Sequence, residues 1–253
     1  MRVFLLLIIC AVSQTIWADS NENSRLKPSE MNISFLLLGQ SNMAGQGKVS
    51  ELSKPMKKLP NNIQFYLNGS LADIRKQQKF GPEVTFAHRV AAKYPRKKIN
   101  IIKFAPGGSL MKDWLSHGHH YQTLKKQLKK ISQSTNINLK GVLWMQGESD
   151  TKSLKLAKNY KQELILFIKT LRIHFKKQKL AFVIGKISIP ESYRPAVKEI
   201  KAAQDAVCKQ LSFVDIIPTK SLEKNKDKVH YSTRGQLVLG RLFAQKLLGT
   251  KIQ

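Results

Sequence analysis

The amino-acid sequence predicts an α/β protein with a mainly parallel sheet covered on both faces by helices. Three observations carry that expectation. Short apolar runs of strand length alternate along the chain with amphipathic stretches of helix length, the pattern of strand–helix–strand units. The apolar runs read as strands buried on both faces, as parallel sheets require. And 253 residues, 42% hydrophobic and 24% charged with 14 Gly and 9 Pro, are enough for one large core without a second domain. The same composition excludes disorder, collagen and small disulfide scaffolds.

Ile33 to Leu38 is the first strand, stopped at Gly39 by a turn. Ile63 to Leu67 is a weaker and shorter second strand. Pro82 to Tyr94 reads as a helix, with Phe86, Val90 and Ala91 at helical spacing and Pro82 in its first turn. Ile99 to Phe104 is the third strand and ends at Pro106-Gly107-Gly108. The chain continues with a helix from Tyr121 to Ile131, a strand from Gly141 to Met145 and a long helix from Leu154 to Phe175 with its lysines outward. Leu180 to Ile189 is the fifth strand, Ala196 to Leu211 a helix, Phe213 to Ile217 a last short strand and Thr233 to Leu248 the closing helix.

The N-terminus has a different character. Arg2 is followed by an uncharged run from Val3 to Val12 and then by Ile16-Trp17-Ala18 before Asp19. Residues 1–18 therefore read as a signal peptide and residues 19–253 as a single domain, secreted or periplasmic. The run falls short of the ~20 residues that span a bilayer, so no stable membrane insertion is expected after cleavage. Cys10 follows Ile9 rather than a small residue, which makes lipoprotein anchoring the weaker reading. Cleavage after Ala18 leaves Cys208 alone, with no intramolecular disulfide to form.

The formal charge is +28, and losing Arg2 with the signal leaves +27. Such a field attracts polyanions. The basic residues are 35 Lys against 9 Arg and are spread along helices, as in Lys125-Lys126, Lys129-Lys130 and Lys176-Lys177. Bidentate phosphate or base readout favours Arg, and neither a zinc finger nor a basic arm is present, so no nucleic-acid partner is expected. Two readings stay open: a solvated lysine surface, or a field that recognises an anionic glycan.

In a sheet of this kind ligands gather beyond the carboxyl ends of the strands. Four segments there carry the unusual chemistry: Gly39-Gln40-Ser41-Asn42-Met43-Ala44-Gly45, Pro106-Gly107-Gly108-Ser109, Gln146-Gly147-Glu148-Ser149-Asp150, and Asp227-Lys228-Val229-His230 before the last helix. A serine hydroxyl is a poor nucleophile until a histidine takes its proton and a carboxylate orients that histidine, and these segments supply all three. Ser41 stands where a strand end becomes a helix start, so backbone amides point towards it. The motif is not the G-x-S-x-G elbow of the α/β-hydrolases, and the acid and the histidine both follow the serine.

Together the four blocks, with Gly81-Pro82-Glu83 opening a helix, resemble the signature blocks of the SGNH hydrolase superfamily, in its sialate O-acetylesterase-like and plant-type carbohydrate acetylesterase branch. The likeness runs from about Ile33 to Leu248. It implies a flavodoxin-like three-layer α/β/α sandwich, with Ser41 as nucleophile, His230 as base and Asp227 as its orienting acid. It also implies an oxyanion hole made by the Ser41 amide, the Gly108 amide and the side chain of Gln146, and no cofactor. Gly108 has no Cβ to keep its amide from an oxyanion.

Gln40, Asn42, Glu148 and Trp114 are read as substrate or loop support. A carboxylate at Glu148 or Asp150 has three open roles: holding the catalytic loop, binding a substrate hydroxyl, or assisting the histidine. Trp114 either overhangs the site and packs on a sugar ring or belongs to the core. His117, His119 and His120 lie near Asp113, but a metal site needs ligands that converge in space, and a serine mechanism requires no metal, so none is expected. Cys208 reads as a structural thiol. The function expected is an exported serine esterase that removes acetyl from a carbohydrate hydroxyl, its partner an O-acetylated glycan. Two alternatives remain. A lipid or thioester hydrolase of the same fold would prefer long acyl chains, and an inactive glycan-binding module would bind glycan without releasing acetate.

Overall fold

The computed structural model describes residues 32–249; the expected signal segment 1–18, with Cys10, lies outside the described residues. In chain order the strands are β1 (Asn32–Gly39), β2 (Gly47–Lys48), β3 (Ile63–Leu67), β4 (Ser70–Leu71), β5 (Lys79–Phe80), β6 (Lys98–Phe104), β7 (Leu139–Met145), β8 (Ala181–Gly185) and β9 (Val214–Ile217). The α-helices are α1 (Ser41–Ala44), α2 (Glu83–Lys93), α3 (His119–Ser132), α4 (Leu154–His174), α5 (Val197–Gln210) and α6 (Thr233–Leu248).

The main sheet has seven strands in the order β4-β3-β6-β1-β7-β8-β9. All its pairings are parallel except the edge pair β3–β4. With that outer pair set aside, β6-β1-β7-β8-β9 run second-first-third-fourth-fifth, the flavodoxin-like order. The expected fold class is therefore the observed one. From β1 the chain moves one way through α2 to β6, then the other way through α3, α4 and α5. Right-handed crossovers place α2 on one face and the other three on the opposite face. The closing helix α6 packs on α2 and completes three layers.

β1 is the centre of the core: from Ile33 to Leu38 every residue is buried. Each large apolar side chain fully buried there contributes about 1.5–3 kcal/mol. The expected helices appear within a residue or two of their sequence limits. One strand is shorter than its apolar pattern: β8 stops at Gly185, although Ile187 and Ile189 remain buried. Beyond Gly185 the Ile187 amide donates to the side chain of Gln204 (3.0 Å) instead of to a strand. Burial alternates there without a ladder. The small antiparallel pair β2–β5 was not legible, because two-residue strands carry no periodicity.

Candidate active site

The topological switch lies between β1 and β7, where neighbouring strands send their connections to opposite faces. Gly39 makes the turn leaving β1. Its φ is +150°, and a Cβ there would lie 2.0 Å from the Met145 carbonyl oxygen, so only glycine lets the two strand ends come this close. The Gln40 amide then donates to that same carbonyl (2.9 Å), and the Gln40 side-chain oxygen accepts from the amides of Gly147 and Ser149 (3.4 and 3.3 Å). Gln40 thus laces the turn at Ser41 to the loop after β7. Ser41 opens α1, which is a single turn. The Met43 and Ala44 amides are taken by the Gln40 carbonyl (2.8 Å each), so the unpaired Ser41 amide, and not a helix macrodipole, is what this turn offers to negative charge.

His230 Nε2 lies 2.9 Å from Ser41 Oγ, and His230 Nδ1 lies 2.7 Å from Asp227 Oδ2. The other carboxylate oxygen, Oδ1, accepts from the amides of Val229 and His230, each at 2.9 Å. That tight turn needs a left-handed residue, and Lys228 takes it with φ 56°. Partial burial raises the Asp227 pKa, but the His230 amide and ring and the Val229 amide outweigh it and hold the carboxyl below its usual range. An ionised Asp227 keeps the proton on Nδ1 and leaves Nε2 free to take one from Ser41.

Next to Ser41, on β6, comes the loop with Gly107 and Gly108. Gly108 has φ +72°, and a Cβ there would point into open space, so glycine serves the backbone conformation rather than clearance. Among the described residues the amides of Ser41 and Gly108 donate to no protein acceptor. Gln146 departs from its expected role. Both N–H bonds of its side chain are used inside the protein, on the Ser109 carbonyl (2.9 Å) and on Asp150 Oδ2 (2.6 Å), and the residue is fully buried. A donor with neither a free hydrogen nor an open face cannot serve an oxyanion in this arrangement. Gln146 instead ties the loop after β7 to the loop after β6.

Asn42 holds the backbone on both sides of His230. Its Nδ2 donates to the carbonyl of Val229 (3.1 Å) and to Glu148 Oε1 (2.6 Å), while its Oδ1 accepts from the Tyr231 amide (3.1 Å). Glu148 is buried, and burial raises its pKa against the lowering effect of Asn42. Asp150 accepts from the Met111 amide (3.0 Å) as well as from Gln146. Burial, the largest influence, pushes its carboxyl up to about 6, with those two donors opposing and Glu163 adding to the rise. Both carboxyls hold the loops, and among the described residues neither hydrogen-bonds Ser41 or His230.

Trp114 is fully buried against Trp144, Phe167 and Phe104, and its Nε1 donates to Ser109 Oγ (3.1 Å). It cannot stack on a sugar. It supports the glycine loop from below. Cys208 donates from Sγ to the Val214 carbonyl, and burial raises its thiol pKa, neither of which suits a nucleophile. Asp113, His119 and His120 do converge, with one ligand atom from each lying within 4.8 Å of the others.

One supporting pair escaped the sequence reading. Lys103 Nζ lies 2.8 Å from Glu83 Oε2 and donates to the Ala44 carbonyl (2.9 Å), fixing the far end of α1, while Glu83 Oε1 accepts from the Gly81 amide. Both side chains are buried. The signal was a lysine between apolar residues inside a strand, Ile102-Lys103-Phe104, since a charge is buried only with a partner.

A family model described as carbohydrate esterase, sialic acid-specific acetylesterase matches residues 31–249. A protein named "Probable carbohydrate esterase" from Arabidopsis thaliana is 28% identical over 245 residues, covering 87% of this chain and 92% of the relative. The X-ray structure of an Arabidopsis thaliana protein superposes with a TM-score of 0.75 at 26% identity, over 86% of this chain and 98% of that one. An acetyl xylan esterase from Geobacillus stearothermophilus shares the fold at 16% identity, with a TM-score of 0.53 and coverage of 88% and 96%.

Proposed function

The chain belongs to the sialic acid-specific acetylesterase family of carbohydrate esterases, and from that premise we propose an exported serine esterase that removes O-acetyl groups from glycans through an acyl-enzyme on Ser41. The observation that carries the reading is the continuous relay Ser41 Oγ, His230 Nε2, His230 Nδ1, Asp227 Oδ2, with steps of 2.9 and 2.7 Å. Ser41 Oγ attacks the ester carbonyl carbon as His230 Nε2 takes the hydroxyl proton. The carbonyl oxygen, now negative, faces the free amides of Ser41 and Gly108. His230 returns the proton to the sugar oxygen as the C–O bond breaks, and the alcohol departs. Water then attacks the acyl-serine, again deprotonated by His230, and acetate leaves as Ser41 recovers its hydrogen. Export rests on residues 1–18; among the described residues no helix is long and apolar enough to cross a membrane.

The glycan is proposed to be anionic. Lys186, Lys201, Lys220 and Lys224 line a cavity of about 740 Å³ beyond β8 and β9 together with Glu191; Lys186 pairs with Asp205 and Lys201 with Glu191, which leaves Lys220 and Lys224 as the lysines offered to an anionic group. That cavity shares a wall with the catalytic loop, because Lys224 bridges to Tyr231 and the Asn225 amide donates to the His230 carbonyl. The deciding experiment incubates the protein with acetylated sialosides, xylans and uronic-acid polymers, measures acetate, and locates the lost acetyl by mass spectrometry. Ser41→Ala, His230→Ala and Asp227→Asn should fold normally and lose nearly all turnover of p-nitrophenyl acetate. Because the triad acts as a unit, combining them should cost little more than the worst single change. Wild-type turnover by folded Ser41→Ala would sink the mechanism.

A further inference from the structure

Beside the ester site, a second set of chemistry-bearing side chains sits on the segment between β6 and α3. Asp113 lies in the short helical turn Met111–Trp114, and His119 and His120 open α3. Gly118 brings them together. A Cβ on it would lie 2.3 Å from the Asp113 carbonyl oxygen, so only glycine lets the chain pass this close to Asp113 and set the two imidazoles beside its carboxylate. His119 Nδ1 is 3.8 Å from Asp113 Oδ1, too long for a hydrogen bond. The two imidazole centroids are 3.9 Å apart.

We propose that Asp113, His119 and His120 form a binding site for a divalent transition-metal ion of the zinc class. The donor set is two imidazole nitrogens and one carboxylate oxygen, which suits zinc, copper or nickel and not magnesium or calcium. Zinc bonds of about 2.0–2.2 Å put neighbouring donors ~3.3 Å apart in a tetrahedron, so spacings of 3.8 Å and up to 4.8 Å close by modest side-chain rotation. His119 is exposed and free to make it. The outer contacts already exist. Asp113 Oδ2 accepts from the Leu110 amide (3.2 Å), leaving Oδ1 for the ion, and the His120 ring is held against Trp114 and Phe104. A fourth position stays open to water.

Two influences oppose occupancy: the net positive charge of the chain and the positive end of α3. Coordination bonds therefore supply the affinity. A bound ion ties the start of α3 to the segment whose near end carries Gly108, without entering the chemistry at Ser41.

The test uses the full mature chain without a histidine tag. Isothermal titration with ZnCl₂ should give one saturable site per chain, undisturbed by millimolar MgCl₂. The melting temperature should rise with zinc concentration, and hydrogen exchange should slow across residues 110–120. Loss of even an outer contact to a ligand costs ~10–100-fold in affinity, so Asp113→Asn and His119→Gln should each weaken binding at least that much. His119 is exposed, so His119→Gln should fold like the wild type. Absence of saturable zinc binding to the wild type, or undiminished affinity in folded His119→Gln, would overturn the proposal.

Discussion

Replacing Asn42 is the most searching test of how the site is held. Asn42→Ala removes three contacts at once: to Glu148 (2.6 Å), to the Val229 carbonyl and to the Tyr231 amide (each 3.1 Å). The two backbone contacts are worth about 0.5–1.5 kcal/mol each, and leaving the buried Glu148 carboxyl without its side-chain donor adds about 1–3 kcal/mol. The expected loss is thus ~2–6 kcal/mol, read as a lower urea midpoint with little change in slope. Val229 and Tyr231 flank His230, so releasing them lets the imidazole drift from Ser41, and a 1 Å displacement costs on the order of 10²-fold in rate. That loss should appear in kcat for p-nitrophenyl acetate, with KM little changed. Asn42→Asp separates size from chemistry. It keeps the shape but sets an oxygen against Glu148 where a donor stood, and two carboxylates that close must share a proton. Their proton is held more tightly folded than unfolded, so this variant should recover stability and activity towards acid and lose both as the pH rises. Wild-type kcat and urea midpoint in Asn42→Ala would refute the reasoning.

Gln146→Ala should cost stability and activity together, because the Ser109 carbonyl and Asp150 lose a buried donor, each worth roughly 1–3 kcal/mol; a kcat loss of about 10²–10³ at unchanged stability would instead restore it as an oxyanion donor. Asp150, with its carboxyl pushed up to about 6 from 3.8, binds its proton more tightly folded than unfolded. Its contribution is full below about 3.8 and falls away as the pH rises to about 6, by at most ~3 kcal/mol. Urea unfolding between pH 4 and 6 should therefore show a shallower decline in Asp150→Asn, and identical slopes would refute the assignment. For an anionic acetylated polymer kcat/KM should fall steeply with salt, since exposed charges are screened over about 10 Å at 0.1 M, while acetylated xylan responds little. Lys220→Gln with Lys224→Gln should flatten that response and spare p-nitrophenyl acetate. The exposed Lys125, Lys129 and Lys176 serve as distant comparisons, and equal salt dependence for acidic and neutral polymers would leave the charge as a solvated surface.

The order of strands and helices was legible because buried strands and amphipathic helices write their periods into the chain. The four loop blocks were legible because three follow directly on the apolar runs of strands and the fourth, Asp227 to His230, directly precedes the closing helix. Ser41, Asp227 and His230 lie 186 or more positions apart from serine to acid in the chain, and only the order of strands beside β1 brings them within hydrogen-bond reach. Side-chain direction was not legible at all. Trp114 had an open face or a core as its two readings, and packing against Trp144 and Phe167 decided for the core. Gln146 matched a donor position, yet its hydrogens go to Ser109 and Asp150, since a buried amide must satisfy its nearest acceptors before it can serve a substrate. Asp113, His119 and His120 were neighbours in sequence with no stated geometry; the close pass at Gly118 made them a cluster. Local chemistry and periodicity are properties of short segments and survive in the sequence. Which donor meets which acceptor is settled only when distant segments pack, because that choice depends on distances no single segment contains.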